Sequence, residues 1–573
     1  MTQPMETNFD TITPANDNIT PANNPVSITD YQNFNIDPYR CMHLKDMSET
    51  KTWIPASARR NIFVYQPLSY LYFVIRLIIH LVLTLFFNWT FPLVNPLNFI
   101  VTFILFPGLA VVFFFAEIIF RIVNQVRSIS KSTNTDTLKL WQSLSKYHVE
   151  DNLRKGLDSL NKDVDDSNSP EFNIDRAEFL LWADEAIISR DEGLVDKAYQ
   201  KIIKLDKLNA SAQSREVQEI VKLLDQSEEP VRERAKHFGL KFMSLTECNS
   251  VGGPYAGIFW SEDHNFIILS FKGTDALSLT QWLTNFSLHR MDARPYLFGE
   301  VHEGFYTSIF PDNTDDSVKF KNQYPAVRLT EAIKTKAAEI NGRTQEPVNL
   351  WISGHSLGAA LASLMHVRIF ASPDSVGENV NLRGTYLFAC PYVGDNDFAA
   401  HYKFLENQPK NATKNLWRII NDSDVVPRLA PGFHSSTLSH YLTKIDLFNF
   451  IGIGDEVKFF QDGGEPTSKR NLYIPKPETL IFPNQNFNFP RMISFLGLTE
   501  TNDRTFLENF KNFFKFRKDE GILPVDRFIP LPFLNHFTYR HFVVMEKARK
   551  YWDRDNANVD ENMIQNPRNS NPV

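Results

Sequence analysis

The stretch Asn349–Leu364, NLWISGHSLGAALASL, runs from an apolar segment through Gly-His-Ser-Leu-Gly into an alanine-rich segment. Val348–Ile352 reads as a strand, and Leu357–Phe370 reads as a helix. Ser356 therefore falls at a strand-to-helix turn. Glycine on both sides lets the chain turn sharply there, and a serine Oγ at such a turn stands exposed above the sheet. Ala359 and Ala360 let the helix sit close to the strand. The bland alternative is a small-residue turn that happens to contain a serine. The choice depends on whether the rest of the chain supplies a base, an acid and oxyanion donors.

Working outward, Tyr255–Ser261 (YAGIFWS) and Asn265–Gly273 (NFIILSFKG) are rich in β-branched and aromatic residues and read as a hairpin of strands. Apolar strands recur at VNLWISG, GTYLFAC and NLWRIIN, with helical stretches between them. Strands alternating with helices predict an α/β sheet.

A serine nucleophile needs a base, and the base needs an orienting acid. After the strand ending at Ile420, the sequence NDSDVVP offers Asp422 and Asp424, in the kind of loop where such sheets place their sites. One of the two is a turn former. The histidines beyond them are His434, His440, His536 and His541. In PFLNHFTYRHF the last two are five residues apart, so at most one points into the site. One oxyanion donor is the N–H of Leu357, the residue after the serine. The second comes from the loop after an earlier strand, where Thr274 follows Gly273 with an N–H and a hydroxyl. The helix that follows places Leu279, Trp282, Leu283 and Phe286 on one face. That stripe reads either as a core-facing surface or as a lid that opens at an oil surface.

Together, SFKGTDALSLTQWLTNF, VHEGFYTSI, ISGHSLGAALASL, LFACPYVGDNDFA and RIINDSDVVPRL occur in an order and character that resemble the class 3 lipase family. The resemblance covers roughly residues 254–545. It implies an α/β hydrolase fold that cleaves acylglycerol esters with no cofactor and no metal. Carried over residue by residue, it makes Ser356 the nucleophile, Asp424 the acid, Thr274 the oxyanion residue and Trp282 a lid tryptophan. NHFTYRHF fits the family's C-terminal histidine at His536. The chain departs from compact members in a Pro/Phe/Asn-rich insertion at about 463–530, which separates acid from base. Within it, Phe506, Phe510, Phe513 and Phe514 with Lys511, Lys515, Arg517 and Lys518 read as a basic helix for a membrane surface or as core packing.

The remainder of the 573 residues sets the domain order. Residues 1–60 are polar and read as a disordered tail, as do 551–573. From Leu77 to Ala116 there is no Asp, Glu, Lys or Arg, enough for roughly two hydrocarbon-core spans. Pro92 and Pro96 interrupt it, so residues 61–130 read as a membrane helical hairpin. Arg59, Arg60, Arg121 and Arg127 flank it and put both ends in the cytosol. The hairpin either spans the bilayer or enters one leaflet as a wedge; Arg76 and the uncharged turn favour the wedge, a geometry that suits the endoplasmic reticulum or a lipid droplet. The hairpin also looks like the architecture of plant oil-body lipases. Residues 131–245 read as a helical connecting region without chemistry of its own, either a bare link or packed on the hydrolase domain that follows at 246–550. Net charge is −7, which excludes a dedicated nucleic-acid binder. The three cysteines, Cys41, Cys248 and Cys390, form neither a disulfide framework nor a zinc site. The partners expected are acylglycerol substrate and a membrane or droplet surface, with the oligomeric state left open. The competing readings are a phospholipase or diacylglycerol lipase and a droplet structural protein on an inactive hydrolase fold.

Overall fold

Phe266–Phe271 sends alternate side chains into two different helical layers, and that alternation organises the molecule. Ile267, Leu269 and Phe271 join one buried cluster, whereas Phe266 and Ile268 join another on the opposite face. The period of two is what a strand buried on both faces requires. The computed structural model describes residues 149–161, 172–205, 215–246, 255–273, 290–310, 325–408, 415–424, 426–428, 450–469 and 534–552. It also describes seven separate residues of the apolar run: Ile78, Ile79, Val82, Leu85, Phe86, Leu93 and Phe103.

Helices α1 (Val149–Asn161), α2 (Ile174–Ile188), α3 (Glu192–Leu205), α4 (Arg215–Ser227) and α5 (Glu229–His237) precede the sheet. Among the described residues the main sheet has eight strands in the order β1 (Leu240–Thr246), β2 (Ala256–Ser261), β3 (Phe266–Phe271), β6 (Val348–His355), β7 (Val380–Phe388), β8 (Asn415–Asn421), β9 (Asp455–Phe459) and β10 (Thr467–Lys469). A separate pair, β4 (Arg290–Asp292) and β5 (Glu300–His302), precedes α6 (Glu303–Ile309) and α7 (Pro325–Thr344). The pairs from β3 through β9 are parallel, and β1–β2, β2–β3 and β9–β10 are antiparallel. The sheet is mixed α/β, as the strand and helix alternation predicts.

On one face lie α7 and α8 (Leu357–Ala371), with Leu329, Ile333, Leu361 and Met365 against Leu350 and Ile352. On the other face lie α1, α2, α5 and the C-terminal helix α10 (Thr538–Ala548). Between α8 and α10, α9 (Asn396–Glu406) follows β7. Phe179, Leu180, Trp182 and Ala183 of α2 share the second cluster with Trp351, Tyr386, Phe388 and Trp417 of the sheet. Trp351 Nε1 donates to Leu160 O of α1 at 3.0 Å, and the Arg176 guanidinium lies 4.3 Å over the Trp351 ring.

Residues 131–245 thus do more than connect: α1, α2 and α5 pack with α10 as one of the sheet's two helical layers. The boundary at 246 also moves. LKFMSLT, Leu240–Thr246, is the edge strand β1, because Leu240 and Phe242 alternate inward around exposed Lys241. The insertion placed at 463–530 begins inside the sheet, since Thr467–Lys469 pairs with Lys458, Val457 and Glu456. The C-terminal tail starts later than 551, because Trp552 packs 5.8 Å from Phe172 and 5.9 Å from Phe459. Nearly all of the hairpin at 61–130 and the tail at 1–60 lie outside the described residues, as does the basic Phe helix. Among the described residues no helix is long and apolar enough to cross a membrane.

Candidate active site

The turn after β6 is built by glycine at two positions that admit nothing larger. A Cβ on Gly354 would lie 2.5 Å from Gly358 C, and one on Gly358 would lie 2.1 Å from Phe271 O of β3. Strand, turn and helix therefore touch backbone to backbone. Ser356 between them has φ 58° and ψ −124°, a conformation that a non-glycine residue adopts only when its surroundings enforce it. Its N–H donates to Phe388 O at 2.9 Å, which ties the turn to the end of β7. Ser356 is 0% exposed, so the open serine expected above the sheet is covered here.

His536 Nε2 lies 2.9 Å from Ser356 Oγ, and His536 Nδ1 lies 3.1 Å from Asp424 Oδ2. All three side chains are fully buried. Because Nδ1–H donates to the carboxylate, Nε2 is left as the acceptor for the serine hydroxyl. Asp424 Oδ1 accepts from Val426 N at 3.0 Å, so both carboxylate oxygens are held. Asp422 takes the other role of the pair: it has φ 45°, a left-handed turn conformation that Asp tolerates better than most residues, and its N–H donates to Phe459 O.

The turn that carries His536 is fixed from three sides. His355 Nε2–H donates to His536 O at 2.7 Å. Asn421 Nδ2 donates to Asn535 O at 2.8 Å, and Asn535 Nδ2 donates to Ser423 Oγ at 3.0 Å. Gln461 donates through Nε2 to Asn421 Oδ1 at 2.6 Å, and its Oε1 accepts from Arg540. Sequence reasoning missed His355, Asn421 and Asn535. Each adjoins a residue it did single out, and nothing in spacing alone marks a residue that acts through a neighbour.

His541 lies beside the site without joining it. Its ring centroid is 5.8 Å from that of His355, edge to face, and 6.1 Å from that of Phe388. Neither ring nitrogen has a hydrogen-bond partner among the described residues. Burial pushes its pKa down to about 4, the Asp424 charge pulls it up, and His536 pushes it further down. Burial also holds His355 well below the usual imidazole range, with His536 and His541 adding to the effect. Leu357 opens α8, where the first amides of a helix have no intrahelical acceptor. Gly273 lies against the turn, since a Cβ there would be 2.5 Å from His355 O. Thr274, Trp282, His434 and His440 lie outside the described residues. No group of three or more metal-ligating side chains occurs among the described residues.

Residues 268–434 match the family model described as Lipase (class 3). That segment takes in Ser356 and Asp424 and ends before His536. The triacylglycerol lipase OBL1 of Arabidopsis thaliana is 27% identical over 192 residues, which cover 29% of this chain and 35% of that protein. Phospholipase A1-IIgamma of Arabidopsis thaliana is 29% identical over 175 residues, covering 29% of this chain and 38% of that protein. Among solved structures, lipase II from Rhizopus niveus is 18% identical, covers 40% of this chain and 69% of that one, and superimposes with a TM-score of 0.28. The chain thus matches little more than a third of the length of these two curated relatives.

Proposed function

We propose that the chain is a serine carboxylic ester hydrolase of the α/β hydrolase type, acting on acylglycerols, with triacylglycerol as the favoured substrate. The observation that carries this reading is the run Asp424–His536–Ser356, with the serine on a positive-φ turn ahead of a helix. Ser356 Oγ attacks the ester carbonyl while His536 Nε2 takes its proton. Asp424 orients the imidazole and stabilises its cationic form. The Leu357 N–H and Thr274 hold the oxyanion. His536 returns the proton to the leaving alcohol, and water then releases the fatty acid from the acyl-enzyme. Ser356→Ala should lower ester hydrolysis by at least about a thousandfold, and it should abolish labelling by a fluorophosphonate. Retained turnover or labelling in that variant would remove Ser356 from the role.

The match to a triacylglycerol lipase favours a neutral acylglycerol, and the comparable match to a phospholipase A1 supports a second reading, an ester of a bilayer phospholipid. A release assay on purified protein with triacylglycerol, diacylglycerol and phosphatidylcholine separates the two. An inactive droplet structural protein on the same fold predicts no release from any of them. The uncharged run Leu77–Ala116 supports anchoring at a membrane or droplet surface with the hydrolase layer facing the cytosol. Its deletion should move the protein to the soluble fraction. Undiminished membrane binding would place the anchor elsewhere in the chain.

A further inference from the structure

Ser270 of β3 and Ser353 of β6 are register partners in the parallel pair. Each stands three residues before a loop of the site, Ser270 before Gly273 and Ser353 before Ser356. One carboxyl group joins them from the helical layer. Asp184 Oδ1 of α2 accepts from Ser270 Oγ at 2.7 Å and from Ser353 Oγ at 2.7 Å. Asp184 is 1% exposed, and its Oδ2 has no hydrogen-bond partner among the described residues. Burial pushes its pKa well above the usual carboxylate range; the two serine bonds pull it back, and Glu185 pushes it up. A carboxyl group so placed is expensive, and apolar residues of similar shape would hold the layer to the sheet at lower cost.

Glu185, the next residue, turns toward α10. Its Oε2 accepts from Thr538 Oγ1 at 2.5 Å, two residues beyond His536. Adjacent carboxyl groups on one helix thus reach both halves of the site. Asp184 reaches the strand that leads to the serine, and Glu185 reaches the first residue of α10, two beyond the histidine.

We propose that α2 is a positioning element of the active site. Asp184 fixes the nucleophile strand against the strand that leads to the oxyanion loop, and Glu185 fixes the start of α10 beneath His536. The proposal rests on the serine-hydrolase reading above. It gives the helical layer a part in turnover, beyond its part in the core.

The test uses the full chain. Fluorophosphonate titration counts folded sites, and single-turnover acylation by a p-nitrophenyl ester gives the rate per site. Ser270→Ala/Ser353→Ala, which leaves Asp184 without its donors, should slow acylation per titrated site by between about 10- and 100-fold, with KM unchanged within about twofold. Thr538→Val should slow it by about tenfold, again at constant KM. Asp184→Asn keeps an acceptor oxygen for the two hydroxyls and should stay within about threefold of the wild type. The proposal is overturned by a folded double-serine variant that acylates at the wild-type rate. It is equally overturned by a loss that tracks only the number of folded sites, or by failure of the double-serine or Asp184→Asn variant to fold, which would assign the cluster to stability alone. Wild-type protein that takes up no fluorophosphonate would instead mark a failure of the hydrolase reading.

Discussion

His541 is a fully buried imidazole whose ring nitrogens have no hydrogen-bond partner among the described residues, packed against His355 and near Asp424 and His536. Its folded pKa of about 4 lies below the ordinary imidazole value of 6.5. An unfolded chain therefore takes up a proton below about pH 6.5 that the folded chain refuses, and stability is lost as pH falls from there toward about 4. At 1.36 kcal/mol per pH unit the loss approaches about 3 kcal/mol. His541→Leu should lose less stability than the wild type between pH 7 and pH 4, by up to that amount. Urea unfolding at both pH values measures it, and equal losses would show that His541 does not titrate as its burial implies. The residue scale is also where sequence left most open. In the residues alone, His536 and His541 are two histidines five apart, and Asp422 and Asp424 are two carboxylates in one loop. The difference between members of each pair is conformational. Asp422 spends its position on a left-handed turn, and His541 sits on the first turn of α10 with its ring against His355.

Two elements set the site at the next scale, and they differ in how visible they are. The β6–turn–α8 unit was legible because its requirement is steric: Gly354, Gly358, Ala359 and Ala360 are small where backbone meets backbone. Gly358→Ala forces a Cβ to within 2.1 Å of Phe271 O, a backbone atom, so α8 and β3 must move apart. It should cost at least about 2 kcal/mol and abolish fluorophosphonate labelling, since the serine turn shifts with it. Thermal unfolding and labelling check both parts. The contact between α2 and Arg549, the residue that follows α10, was not legible, because its partners are some 370 residues apart and each looks like an ordinary surface charge. In the fold, Arg549 joins Asp175, Glu178 and Glu546, and Glu178 is almost fully buried. Burial pushes the Glu178 carboxyl up to about 8 while Arg549 pulls it back, so Arg549→Leu leaves Glu178 to take up a proton, and loss of the hydrogen bonds should destabilise the chain by about 1–2 kcal/mol. Pairing the change with Glu178→Gln should recover part of the loss, as a double-mutant cycle in urea would measure.

At the scale of the molecule, the strand-and-helix alternation from Tyr255 onward predicted the α/β sheet, while the reading of 131–245 as a connecting region left open which surface its helices cover. Each helix there reads alone as amphipathic, and amphipathic periodicity does not name the surface that an apolar face meets. The other side of the contact did carry a signal: Trp351, Tyr386, Phe388, Trp417 and Phe459 supply a row of large aromatics that α7 and α8 on the opposite face cannot reach. A sheet buried on both faces needs two layers, and the only described helices against that row are α1, α2, α5 and α10. The consequence is a prediction about where the catalytic unit begins. A chain starting at Leu240 keeps every strand, Ser356, Asp424 and His536, yet strips the cover from Trp351 and Trp417 and removes every partner that α2 gives to α10. Exposed aromatic surface of that extent drives association. Such a chain should be insoluble or aggregated and take up no fluorophosphonate, whereas one starting at 149 should be soluble and label fully. Size-exclusion chromatography with labelling of both would decide it, and a soluble, labelled chain from Leu240 would return the helices to the rank of a connector.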